Sequence, residues 1–147
     1  MRLALSLVLV AGCSFGEDHP VMKTVQSAGR VCLLGTTTAQ GQLYAANASV
    51  TVRYETPGCL SQSCDRDRMA SCEVNVIDGA LNISSFASWN DYSLAGGACT
   101  DDCGRIAAQC ETGPLAEYAY PILFGSTPGG SLAVPSTLAE PLCIEVQ

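Results

Sequence analysis

Nine cysteines, one histidine and fourteen acidic side chains are the chemically capable residues of this 147-residue chain. The tightest cysteine run is Cys99-x3-Cys103-x6-Cys110. Three thiolates could in principle ligate zinc. Structural zinc sites, however, use Cys-x2-Cys pairs, and no histidine lies nearby. A thioredoxin-type exchange motif needs Cys-x-x-Cys, which the chain lacks. Ser-His-Asp chemistry needs a positioned histidine, and His19 sits in a polar segment near the start. Asp65 with Asp67, and Asp101 with Asp102, form short acidic runs. Neither is an alternating six-ligand calcium loop with a closing Glu. Any two acids could converge for glycoside cleavage, but nothing singles out a pair. The expectation is a chain without catalytic residues, metal or cofactor.

The cysteines then read as structural, with one exception at the start. Met1-Arg2 supplies a positive charge, and Leu3 to Val10 is apolar apart from Ser6. Small residues, Ala11 and Gly12, precede Cys13. A basic start, a short apolar run and small residues before a cut site make a signal peptide. The run is too short to span a bilayer, which takes about 20 residues. Val10-Ala11-Gly12-Cys13 resembles the lipobox of bacterial lipoproteins. That resemblance implies cleavage before Cys13, acylation of its thiol and amine, and a membrane lipid as the anchor. Two or more acyl chains make such an anchor stable. Ser14 after the cysteine, where the family's retention signal is Asp, implies export to the outer membrane.

Residues 1–12 are therefore expected to be the signal, 13–20 a lipidated tether, and 21–147 a Cys-rich domain. Losing Arg2 takes the formal charge from −7 to −8. Such an acidic domain repels phosphates, which excludes nucleic acid as a partner. Setting Cys13 aside leaves Cys32, Cys59, Cys64, Cys72, Cys99, Cys103, Cys110 and Cys143. An even remainder in an exported chain reads as four disulfides, with 105 possible connectivities. Cys143 is expected to fasten the tail to a distant residue. The triplet Cys99, Cys103, Cys110 is expected to contain a local pair.

The elements that must position these residues are strands. Val21 to Leu34 and Leu43 to Tyr54 are β regions around a Thr-rich turn. Val50, Val52 and Tyr54 alternate with Thr51, Arg53 and Glu55, the period-2 pattern of a half-buried strand. Cys59 to Cys72 reads as a polar loop pinned by its bridges. Cys72, Val74 and Val76 lead through Asp78-Gly79 to Leu81 and Ile83. Asp-Gly between two alternating runs predicts a hairpin with a type I′ turn. Phe86 and Trp89 are expected to add aromatic bulk to the core, with Trp89 alternatively an exposed binding aromatic. Asp101 or Asp102 is a candidate cap for one helical turn over Arg105 to Gln109. Tyr118, Tyr120, Ile122 and Phe124 share a strand face, and Pro121 demands an edge or a bulge. Six to eight short strands with little helix predict an all-β, antiparallel β-sandwich-like domain stapled by about four disulfides.

Two functions of different class fit. One is a non-catalytic structural, adhesive or binding module, lipid-anchored at the outer membrane or cell surface. Its partner would be an extracellular or periplasmic protein or a glycan. In style only, the body resembles small Cys-rich lipoproteins of Gram-negative bacteria. The other is a protease inhibitor presenting Arg66, Arg68 or Met69 on a disulfide-held loop, Cys64 to Cys72, where preorganisation lowers the cost of binding. A small extracellular hydrolase is a further alternative.

Overall fold

The computed structural model describes residues 19–95 and 98–147. The expected signal, the lipobox and Cys13 lie outside them. Twelve strands form among the described residues, and no helix. In chain order they are β1 (Val21–Gln26), β2 (Gly29–Leu34), β3 (Thr36–Thr38), β4 (Gly41–Tyr44), β5 (Thr51–Glu55) and β6 (Asp65–Ile77). Then follow β7 (Ala80–Asp91), β8 (Ala107–Glu111), β9 (Tyr118–Phe124), β10 (Thr127–Val134), β11 (Ser136–Leu138) and β12 (Leu142–Val146). The fold is all-β and mostly antiparallel, as expected.

Two main sheets enclose the core. In the larger, β6 runs along one side of β7 for its whole length. On the other side of β7, β9 pairs with residues 81–83 and β1 with residues 86–91. Strand β10 completes this sheet beside β9. The second sheet has the order β12-β2-β5-β8, and a small third sheet has the order β11-β4-β3. The inward residues Val31, Leu33, Val52, Tyr54 and Ile144 of the second sheet meet Leu81, Ile83, Tyr120, Ile122 and Phe124 of the first. Tyr54 and Phe124 bring their rings to 6.4 Å across this interface, close to the favoured range for tilted aromatic pairs.

The Asp78-Gly79 hairpin forms, with both residues at positive φ (52° and 75°). The alternating face Val50, Val52, Tyr54 is buried. Pro121 sits just before β7 begins to pair with β9 at Ile122, and its antiparallel partner β10 carries a register shift between Pro128 and Ser131. The missing N–H is accommodated there without an edge along the whole strand. Gly29 (φ 112°) starts β2 where a Cβ would lie 2.3 Å from the Glu55 carbonyl oxygen, so only glycine fits.

Several expectations need correction. Residues 65–72 are not a loop but the first half of β6. Its side chains are exposed or half-exposed on both faces before Val74, so no apolar alternation marked it as a strand. Arg105 to Gln109 is not helical: Ala107–Glu111 pairs with β5, whose open edge supplies the backbone partners. Phe86 falls on the even-numbered, outward side of β7 and is 41% exposed, whereas its neighbours Ser85 and Ala87 face inward. Tyr118 is exposed and packs edge-on against Tyr120.

The eight cysteines pair as Cys32–Cys143, Cys59–Cys103, Cys64–Cys99 and Cys72–Cys110. Cys143 does tie the tail to a distant residue, 111 positions away. The triplet holds no local pair. Each of Cys99, Cys103 and Cys110 reaches back to the segment between Cys59 and Cys72. Cys72–Cys110 joins β6 of the first sheet to β8 of the second, two strands that share no backbone ladder.

Two buried tyrosines allow a contrast. The Tyr44 hydroxyl donates to the Leu33 carbonyl at 2.7 Å. The Tyr54 hydroxyl is buried beside the Ser85 hydroxyl, and neither makes a well-formed hydrogen bond among the described residues. Burial raises both pKa values above the ordinary tyrosine range. Tyr44→Phe should cost about 1 kcal/mol of stability, and Tyr54→Phe should cost less, because it loses no well-formed hydrogen bond. Thermal denaturation of the two variants reads this directly. Replacing Cys72 and Cys110 together by Ser should cost about 4 kcal/mol by loop-closure entropy, seen as a lower urea midpoint.

Candidate functional site

The first sheet is longer than the core beneath it. Past Ala87, the last residue of β7 in the core, the sheet overhangs it: residues 89–91 are half-exposed. Strand β1 is accordingly exposed or half-exposed along its length. Two cystine-pinned segments fold against the inner side of this overhang, around Cys59–Cys64 and around Cys99–Cys103. The result is a cleft of about 340 Å³ lined by Lys23, Leu60, Ser61, Asp65, Trp89, Asp91 and Ser93.

Strand register explains the arrangement. Trp89 and Asp91 lie two residues apart and so share the inner face of β7. Lys23 of β1 pairs opposite Trp89, and Asp65 of β6 pairs opposite Asp91. The covering segments are fixed from several directions. Leu60 and Gly104 exchange backbone hydrogen bonds of 2.9 Å. The Tyr92 N–H donates to the Cys64 carbonyl at 2.9 Å. The Gln62 N–H donates to the Asp102 carboxylate at 3.2 Å, and the Thr100 hydroxyl donates to the same group. The bond from Thr100 is the main cause holding the Asp102 carboxyl below the usual range.

The two carboxylates in the cleft are acceptors. Asp65 Oδ2 accepts from the Ser61 N–H at 2.7 Å. Asp91 Oδ1 accepts from the Ser93 N–H at 2.8 Å. The hydroxyl and N–H of Ser93, with the Lys23 charge as a lesser cause, hold the Asp91 carboxyl below the usual range. An indole, an ammonium and two fixed carboxylate acceptors are groups that can bind a polar ligand.

The residues singled out from the sequence fall beside the cleft. Arg68 is a structural tie: its guanidinium donates to the Asp65 and Ser61 carbonyls at 2.7 Å each. Arg66 donates to the Ser63 carbonyl at 2.9 Å and stacks over the Tyr92 ring at 5.1 Å. Met69 is 67% exposed on the outer face. The presumed loop closed by Cys64 and Cys72 does not exist, since these cysteines pair with Cys99 and Cys110. Asp67 (φ 52°) and Arg68 instead form a bulge in β6. Trp89 was legible as a candidate binding aromatic. Lys23 and Asp91 were not: Lys23 converges only through the β1–β7 register, and Asp91 shares the face of Trp89 only because this segment is a strand. Among the described residues no three His, Cys, Asp or Glu side chains converge as a metal site.

Trp89 is the sole tryptophan, so intrinsic fluorescence reports on the cleft. Replacing Cys64 and Cys99 by Ser should shift its emission to longer wavelength as the covering segment loosens. The lowered Asp91 pKa sets the sign of a pH effect. The tie to Ser93 is fully present above the unfolded Asp value of about 3.9 and is lost as pH falls through the lower folded value. Hydrogen exchange at the Ser93 amide, corrected for intrinsic rates, should accelerate only at a pH below the one at which a free Asp titrates. No family model, curated protein or solved structure matches this chain.

Proposed function

We propose that this chain is a lipid-anchored, non-catalytic binding module of the outer membrane or cell surface, held by acylated Cys13 and engaging its partner through the Trp89 cleft. The observation that carries the reading is the cleft itself. It has a partly buried indole, hydrogen-bonding groups fixed by backbone contacts, and walls pinned by two cystines. Preorganised walls of this kind lower the entropy lost on binding. An oxidising, extracytoplasmic location agrees with four disulfides in a domain of this size. The lipobox resemblance supplies the anchor, and the polar residues after Cys13 the tether. The partner is a protein or glycan of the same compartment, and the acidic domain disfavours nucleic acid.

Two measurements test this. Cys13→Ser should move the protein from the membrane to the soluble fraction; unchanged membrane association would contradict the anchor. Titrating the protein with a panel of surface glycans and envelope peptides should give saturable Trp89 fluorescence changes for a partner. Asp91→Ala should weaken that binding by about tenfold, as expected for losing one charged hydrogen-bonding group. A flat response across the panel would count against the cleft.

A further inference from the structure

The outer face of the second sheet holds a different kind of site. Cys32 and Cys143 are direct register partners in the β2–β12 ladder, with Cα atoms 4.1 Å apart. Their sulfurs point away from the core, since Val31, Leu33 and Ile144 are the inward residues. Both cysteines are half-exposed, and they form part of a pocket of about 250 Å³. The Arg30 guanidinium donates to Cys143 Sγ at 3.5 Å. Among the described residues Arg30 has no carboxylate within ion-pair distance, although Glu55 and Glu145 are its register neighbours. Arg53, which does pair with Glu55 at 2.9 Å, is the register partner of Cys32 on its other side, away from Cys143.

We propose that Cys32–Cys143 is a thiol–disulfide exchange site, reduced by a dithiol partner with Cys143 as the leaving sulfur. A partner thiolate enters the pocket from the Arg53 side and attacks Cys32 Sγ. A bond forms between the partner sulfur and Cys32, the Cys32–Cys143 bond breaks, and its electron pair goes to Cys143. The resulting thiolate is stabilised by the Arg30 charge, the environment that lowers a thiol pKa and speeds its departure. The partner's second thiolate then attacks its own sulfur in the mixed disulfide and releases Cys32. The partner dithiol is oxidised to a disulfide, and Cys32 and Cys143 end as two thiols after protonation from water.

Two contrasts separate this cystine from the other three. It bridges residues already paired by a backbone ladder, so β12 stays hydrogen-bonded to β2 once the bond opens. Cys64–Cys99 and Cys72–Cys110 join segments that no ladder pairs. Cys59–Cys103 is the more exposed cystine, yet among the described residues no arginine nitrogen lies within hydrogen-bond distance of its sulfurs. Accessibility alone therefore favours Cys59–Cys103, and the arginine favours Cys32–Cys143.

The test is limited reduction of the full-length protein in detergent with dithiothreitol, a dithiol, followed by alkylation and peptide mapping over time. Alkylation should appear first at Cys32 and Cys143, with the strand signature retained in far-UV circular dichroism. Arg30→Gln should slow that reduction about three- to tenfold without changing Cys59–Cys103. Arg30→Lys should restore most of the rate. Earlier opening of Cys59–Cys103, an unchanged rate in Arg30→Gln, or loss of strand signal on opening Cys32–Cys143 would each overturn the proposal.

Discussion

The link between β6 and β8 through Cys72–Cys110 is the constraint on which the architecture depends. Each strand is an edge, one of the larger sheet and one of the second. No backbone ladder joins them, so the cystine fixes how these two edges meet. The apolar faces of both sheets then close on one core, with Tyr54 and Phe124 in contact at its centre. Between the sheets the domain relies on apolar packing. At its edges it relies on covalent ties, because unpaired edges are otherwise free to separate or to recruit other chains.

The same cystines produce the cleft. Strands β1, β6 and β7 run past the core, and an overhanging sheet would leave its inner face wet on its own. Cys59–Cys103 and Cys64–Cys99 fold two irregular segments back over it, where Arg68 and Asp102 fasten them to backbone groups. The partly covered indole of Trp89 and the fixed carboxylates of Asp65 and Asp91 follow from that geometry. Fold and candidate site thus share one cause, a cysteine framework that substitutes for the second layer of sheet.

Much of the fold was legible in the sequence where side chains alternate with a buried face. Val50 to Tyr54, the Asp78-Gly79 hairpin and Tyr120 to Phe124 all read correctly for this reason. Legibility failed where a strand is exposed on both sides, as in the first half of β6, because no hydrophobic period exists to be seen. It failed at Ala107–Glu111, where the neighbouring edge of β5, not local preference, decided the conformation. The cysteine count implied four bridges, but the pairings arise from sheet edges meeting in three dimensions. Trp89 stood out by type alone. Its companion Lys23 arrives through the β1–β7 register, and Asp91 shares its face only because residues 89–91 are extended.

The most direct test of the central claim is a non-reducing peptide map, with intact mass, of the protein isolated from membranes. The account predicts a chain that begins at an acylated Cys13, no free thiols, and four linked pairs: Cys32–Cys143, Cys59–Cys103, Cys64–Cys99 and Cys72–Cys110. A local pair within Cys99, Cys103 and Cys110, free thiols before reduction, or an unacylated Cys13 would contradict it.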